Sequence, residues 1–180
     1  MVRYVIVPGI GGSDDAHWQS LWEAQWGTAA VRIAPRSWSR PDLADWVDAI
    51  DGAVSGDQTD IGDVVLVAHS LGCWAVATWL RAAAVAPRGV MLVAPPDPAG
   101  EVFPGWAAPT FLSVTAAALP CPSIVVASTS DPYCTLEVAE GFASAWGSEL
   151  VVMDDVGHLN SASGLGDWPE GRVILDRLSA

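Results

Sequence analysis

Apolar residues in this chain collect in six short runs, at residues 4–7, 31–34, 64–68, 90–94, 123–127 and 150–153. Each run is rich in β-branched or other apolar side chains and lacks the strict alternation of a half-exposed strand. That pattern predicts strands buried on both faces of a parallel sheet. Between the runs the period changes to that of a helix. Residues 17–26 bring Trp18, Leu21, Trp22 and Trp26 to one face, and residues 41–54 do the same with Leu43, Trp46, Val47, Ile50 and Val54. Residues 71–84 are apolar almost all round, as in a helix buried on every side. Residues 136–146 and 170–178 complete the set, and Asp167-Trp168-Pro169-Glu170 resembles a capping start for the last of them. Regular alternation of strand and helix predicts an α/β fold, three-layered and doubly wound around a mostly parallel sheet of about six strands. Only residues 97–120, with several prolines and no clean period, resist assignment. They fall where a cap over a pocket would lie, and are too few for a large lid.

The chain has 180 residues, of which 51% are hydrophobic, enough for one domain over residues 1–180 with a real core. No segment reaches the ~20 apolar residues of a membrane span. The first strand pattern begins at once, without the basic segment, apolar stretch and cleavage site of a secretory leader, so a cytoplasmic protein is expected. A net charge of −13 argues against nucleic acid and anionic membrane as partners. All eight basic residues are arginine. Without lysine there is no Walker-type phosphate loop and no Schiff-base chemistry. Cys73, Cys121 and Cys134 have no metal-ligand spacing and read as reduced thiols. Gly9-Ile10-Gly11-Gly12 lacks the third glycine of a dinucleotide fingerprint, since Asp14 stands there, and Arg36 follows the second strand where an acid would read ribose. No cofactor and no metal is expected.

The chemistry concentrates at Ala68-His69-Ser70-Leu71-Gly72, directly after the third apolar run. A serine with tiny residues two positions away on each side, between strand and helix, reads as a nucleophile elbow. There the backbone turns so sharply that larger neighbours would clash. Asp131 follows the fifth run and His158 the sixth. The order Ser, Asp, His and the placement of all three beyond strand ends fit a catalytic triad of Ser70, Asp131 and His158. His158 would take the serine proton, and Asp131 would hold the other ring N–H. Asp97 is the runner-up acid and His17 the rival base, while His69 reads as a packing or hydrogen-bonding residue. The backbone N–H groups of Leu71 and Ile10 are the candidate oxyanion donors, with glycines beside Ile10 allowing close approach. Trp38, Trp74, Trp106 and Trp168, near strand ends or the elbow, are candidate walls of an apolar substrate pocket.

Together, Pro8-Gly9-Ile10-Gly11-Gly12, His17-Trp18-Gln19, Ala68-His69-Ser70-Leu71-Gly72, Ser128-x-x-Asp131-Pro132-Tyr133 and Gly157-His158-x-Asn160 resemble the small serine hydrolases of the retinoblastoma-binding-protein-9 type. The tail Ser163-Gly164-Leu165-Gly166-Asp167-Trp168-Pro169 is similar to their bacterial, YdeN-like branch. The resemblance implies an α/β-hydrolase core without a large lid and a triad on Ser70, Asp131 and His158. The family's Leu-x-Cys-x-Glu partner motif is broken here, because Ala75 stands at its acidic position. The expected activity is hydrolysis of a small ester-like substrate through an acyl-enzyme; thioesters and amides use the same constellation. The alternative is a non-catalytic binding protein on the same fold.

Overall fold

The computed structural model describes residues 2–56 and 60–178. Its centre is a sheet of six parallel strands: β1 (Arg3–Val7), β2 (Ala30–Arg32), β3 (Val64–His69), β4 (Gly89–Val93), β5 (Ser123–Ser128) and β6 (Glu149–Met153). They stand in the order β2-β1-β3-β4-β5-β6. β3 to β5 are buried at every residue, which is why their sequences run apolar without alternation. The chain crosses over through α1 (Trp18–Trp26), α2 (Leu43–Ser55), α3 (Leu71–Ala82) and α4 (Leu136–Trp146), and ends in α5 (Pro169–Asp176).

The pleat sends alternate strand residues to two separate cores. Val5, Val7, Leu66, Ala68, Leu92 and Val125 meet Trp46 and Ile50 of α2, Trp74 and Trp79 of α3 and Trp146 of α4. Ile6, Val65, Val67, Met91, Val93 and Val126 meet Trp18 and Trp22 of α1 and Ile174 and Leu175 of α5. Both faces of the sheet are thus covered by helices. No described helix is long and apolar enough to cross a membrane.

Helix starts follow local chemistry. Asp42 caps α2 by accepting from the Asp45 N–H at 3.0 Å, so that helix begins two residues after Pro41. Thr135 caps α4 through the Val138 N–H, and Gly147 ends it in the left-handed region (φ 71°). The expected cap of the last helix takes another form. Trp168 occupies the N-cap with φ 44° and gives no side-chain cap bond, because an indole has no acceptor for the helix N–H groups; its ring is buried between α1 and α5. Residues 97–120 carry one short 3-10 turn (Pro109–Phe111) and are fastened to the first core by Phe103, Ala108 and Phe111.

Candidate active site

β3 ends at His69, and α3 begins at Leu71, leaving Ser70 alone to turn the chain. Its backbone sits at φ 53°, ψ −126°, a region costly for any residue with a Cβ. The turn is pinned from outside: the Ser70 N–H donates to the Val93 carbonyl of β4 at 2.8 Å, and its carbonyl accepts from the Cys73 N–H. Small neighbours are obligatory. A Cβ on Gly72 would lie 2.4 Å from the Val7 carbonyl oxygen and 2.5 Å from that of Pro8. One on Gly9 would lie 2.8 Å from the Ser70 Cβ. Ala68, in contrast, is fully buried in the first core, where a methyl is accommodated.

The structure brings Ser70, His158 and Asp131 together. His158 Nε2 lies 2.9 Å from Ser70 Oγ, and its Nδ1 lies 2.9 Å from each Asp131 carboxylate oxygen. An ionised carboxylate only accepts, so Nδ1 carries the proton and Nε2 turns a lone pair to the serine hydroxyl. Asp131 Oδ1 also accepts from the Tyr133 N–H at 2.9 Å, which fixes its orientation. Asp97 is occupied elsewhere, its carboxylate accepting from the Ala99 N–H.

The segment just before Asp131 fastens the loop that carries His158. Ser128 Oγ accepts from the Val156 N–H, Thr129 Oγ1 from the Asp155 N–H, and Ser130 Oγ from the Gly157 N–H at 3.0 Å. From the other side, the buried His69 ring donates from Nε2 to the His158 carbonyl at 2.9 Å, and the Trp18 indole N–H donates to the Leu159 carbonyl at 2.8 Å. The acid and base loops are therefore stitched to each other and to both flanking elements. The hydroxyl run at 128–130 is a positioning device that spacing alone did not disclose, though three successive hydroxyl residues after a buried strand were its signal.

The loop after β1 is held with equal care. Gln19, fully buried, donates from Nε2 to the carbonyls of Val7 and Val67, closing the ends of β1 and β3, and accepts from Ser13 Oγ at 2.7 Å. Arg32 donates to the Gly12 and Ser13 carbonyls at 3.0 Å and pairs with Glu23. Gly11 and Gly12 use their amides on Trp38 O and Gly9 O, while Ile10 and Leu71 border the cavity beside Ser70.

That cavity measures about 450 Å³. One part of its wall is apolar (Ile10, Leu71, Pro96, Pro104, Tyr133), the other polar (Ser13, Asp14, His17, Asn160, Ser161). None of the four candidate tryptophans lines it. Trp74 is buried against Phe142 and Trp146, its indole N–H held by the Pro96 carbonyl. Trp168 lies in the second core against Trp18 and Trp22. Trp38 stacks edge-on to Trp46 beneath Gly12, and Trp106 is 91% exposed. Proximity to a strand end in sequence left open which way each ring turns, and burial of large apolar area turned three of them inward.

All three histidines of the chain stand in one file, with His17–His69 and His69–His158 ring centroids 4.7 and 5.0 Å apart. Burial holds His69 neutral well below the ordinary histidine range, and desolvation lowers His17 to about 4. His17 does not reach Ser70. Burial raises the thiols instead, Cys121 to about 11 and Cys134 to about 12, with buried Cys73 also well up, so none offers a thiolate at neutral pH.

Comparison with known proteins gives the family and the fold. A family model described as "Serine hydrolase" matches residues 4–177. A YdeN-like hydrolase from Pectobacterium atrosepticum is 35% identical, with 99% of this chain and 89% of that one covered at a TM-score of 0.83. The ydeN product of Bacillus subtilis shares the fold at 20% identity, covering 99% and 98% at a TM-score of 0.79. Est1E from Butyrivibrio proteoclasticus, solved with ferulic acid bound, does so at 11%, covering 99% and 86% at 0.73. No curated protein matches. The chain belongs to the serine hydrolase family, in its YdeN-like branch, on an α/β-hydrolase core.

Proposed function

We propose that this protein hydrolyses carboxylic esters of small acids through an acyl-enzyme on Ser70. The observation that carries the reading is the His158 ring spanning Ser70 Oγ and the Asp131 carboxylate, with 2.9 Å on both sides. In the first half-reaction Ser70 Oγ attacks the ester carbonyl while its proton passes to His158 Nε2. Asp131 keeps the ring oriented and stabilises the imidazolium. The carbonyl oxygen, now negative, is received by the Ile10 and Leu71 backbone N–H groups. Collapse breaks the bond to the alkoxy oxygen, which leaves as an alcohol with the proton from His158. Water then enters by the same route, His158 taking its proton, and releases the acid and free Ser70.

Substrate size follows from the cavity. About 450 Å³ is near the small end of the range for ligand pockets. The apolar wall of Ile10, Leu71, Pro96 and Pro104 suits a short acyl chain. The ferulic acid bound to the fold neighbour Est1E is a carboxylic acid, the product class of an esterase.

The test is labelling of purified protein by a fluorophosphonate, beside Ser70→Ala and His158→Ala, followed by short-chain esters and their thioester counterparts. Labelling that both substitutions abolish, with turnover of esters, is the expected result. Folded wild-type protein that takes no label would overturn the reading in favour of a binding protein. Turnover confined to thioesters would move the substrate class.

A further inference from the structure

The polar wall of the cavity is largely self-satisfied. Ser13 Oγ donates to Gln19, Ser161 Oγ donates to Asp14 at 2.7 Å, and Asn160 accepts from the Ala162 N–H. His17 is the exception. Its residue is 3% exposed, it borders the cavity, and its Nε2 has no hydrogen-bond partner among the described residues. Its Nδ1 is committed, accepting the Gln19 N–H at 3.2 Å as the cap of α1. With Nδ1 an acceptor and the ring neutral, the proton must sit on Nε2. His17 thus holds a donor of fixed tautomer beside the site, its ring packed edge-on to His69 and tilted against Trp18. The unpaired Trp168 indole N–H differs, being enclosed by the apolar second core.

A buried donor left unpaired costs free energy, which a ligand acceptor can recover. The identity of that ligand follows from the neighbours. Asn160, Ser161 and Ala162 follow His158 after the buried Leu159, and the His158 ring hands its proton to the departing oxygen. The polar wall therefore adjoins the alcohol side of the ester. On the same wall the Asp14 carboxylate offers a hydroxyl proton somewhere to go.

Resting on the esterase reading, we propose that His17 is a specificity residue whose Nε2–H receives a hydroxyl oxygen on the alcohol portion of the substrate, so that the enzyme favours esters of short polyols over those of alkyl alcohols.

The test compares 2-hydroxyethyl butyrate with propyl butyrate, which match in chain length and differ in one terminal hydroxyl. The wild type is expected to favour the hydroxylated ester in kcat/KM by roughly tenfold, as one neutral hydrogen bond allows. His17→Phe keeps a ring and removes the donor. His17→Asn keeps a cap acceptor for α1 but is too short to reach. Both are expected to bring the ratio of the two kcat/KM values to about one. A wild type without preference, a preference that survives in both variants, or equal loss on both esters would overturn the proposal. So would a preference that follows a hydroxyl on the acyl chain, read with propyl 3-hydroxybutyrate. If Ser70 takes no label and neither ester is cleaved, the hydrolase reading itself fails; labelling without preference sinks only the subsite.

Discussion

The interior of the sheet and its carboxyl edge are built on opposite principles. Along the strands the backbone is ordinary and the sequence does the work, with β-branched and apolar side chains buried on both faces. At the carboxyl ends the backbone itself is distorted. Among the described residues, six without the freedom of glycine have positive φ, and five of them (Ser13, Ser70, Ala94, Asp155, Leu159) lie in segments that follow β1, β3, β4 and β6. Such conformations cost about 1–3 kcal/mol each and persist only where surroundings impose them. Here the imposing groups are identifiable: Val93 O holds Ser70, Val126 O holds Ala94, and Thr129 Oγ1 holds Asp155. A relaxed interior supports a strained rim, and the reactive groups stand on the rim.

Relieving one strained position should separate function from stability most widely. Ser70→Gly removes the hydroxyl and the Cβ, so hydrolysis is expected to fall by on the order of 10⁶-fold while unfolding free energy rises by about 1 kcal/mol. Val67→Gly, two turns of the pleat inside, should instead unfold the protein more easily. A Ser70→Gly protein less stable than wild type in urea would break the contrast.

Asp131→Asn leaves the rim's shape intact but offers His158 an amide in place of a carboxylate. Turnover is expected to drop about 10⁴-fold with the thermal midpoint nearly unchanged. Parallel loss of both in the same preparation would mean that the residue is structural.

The next effect concerns pH. Burial depresses His17 from its ordinary value to about 4, so the unfolded chain binds a proton there before the folded one does. Its contribution is present in full above about 6.5 and is lost as pH falls towards 4, roughly 3 kcal/mol over that span. His69, lowered by burial as well, acts in the same direction. Urea unfolding at pH 7 and pH 4.5 should show a smaller decline in His17→Phe than in wild type; equal declines would mean that His17 titrates normally.

Smallest is the packing term. Gly72→Ala drives a methyl against the carbonyls of Val7 and Pro8, and about 1–3 kcal/mol of destabilisation is expected. Reduced labelling of Ser70 should accompany it, since the same contact sets the approach of the β1 loop to the elbow. An unchanged midpoint would show that the two segments can separate without cost.

How much of this was legible in the sequence depends on whether the signal was local. The six apolar runs mark the strands to within a residue or two. Two-sided burial leaves no polar position to blur β3, β4 and β5, whereas the edge strands β2 and β6 are only partly buried, contrary to the expectation for all six runs. Asp131 and His158 could be brought beside Ser70 on paper because each follows a strand of one parallel sheet, whose carboxyl ends share an edge. The pocket walls were another matter. Trp74 and Trp168 stand near the elbow and a strand-end loop, and position along the chain does not say which way a ring turns. His17, Asn160 and Ser161 come from loops whose direction is set by Ser13 and Leu159 at positive φ and by Gln19 bridging two strands, none of which leaves a periodic trace.

The strand order has a consequence for how the molecule is made. β1 is flanked by β2 and β3, so it is paired on both edges only after residue 64 has emerged. Pairings across such separations close slowly, because the intervening chain must be ordered before contacts compensate. On the other side β3, β4, β5 and β6 add one after another in chain order. As synthesis proceeds, the turn at Ser70 and its Val93 anchor are available some sixty residues before His158 leaves the ribosome. The turn that holds the nucleophile can therefore form before its base is made, and a later segment arms it.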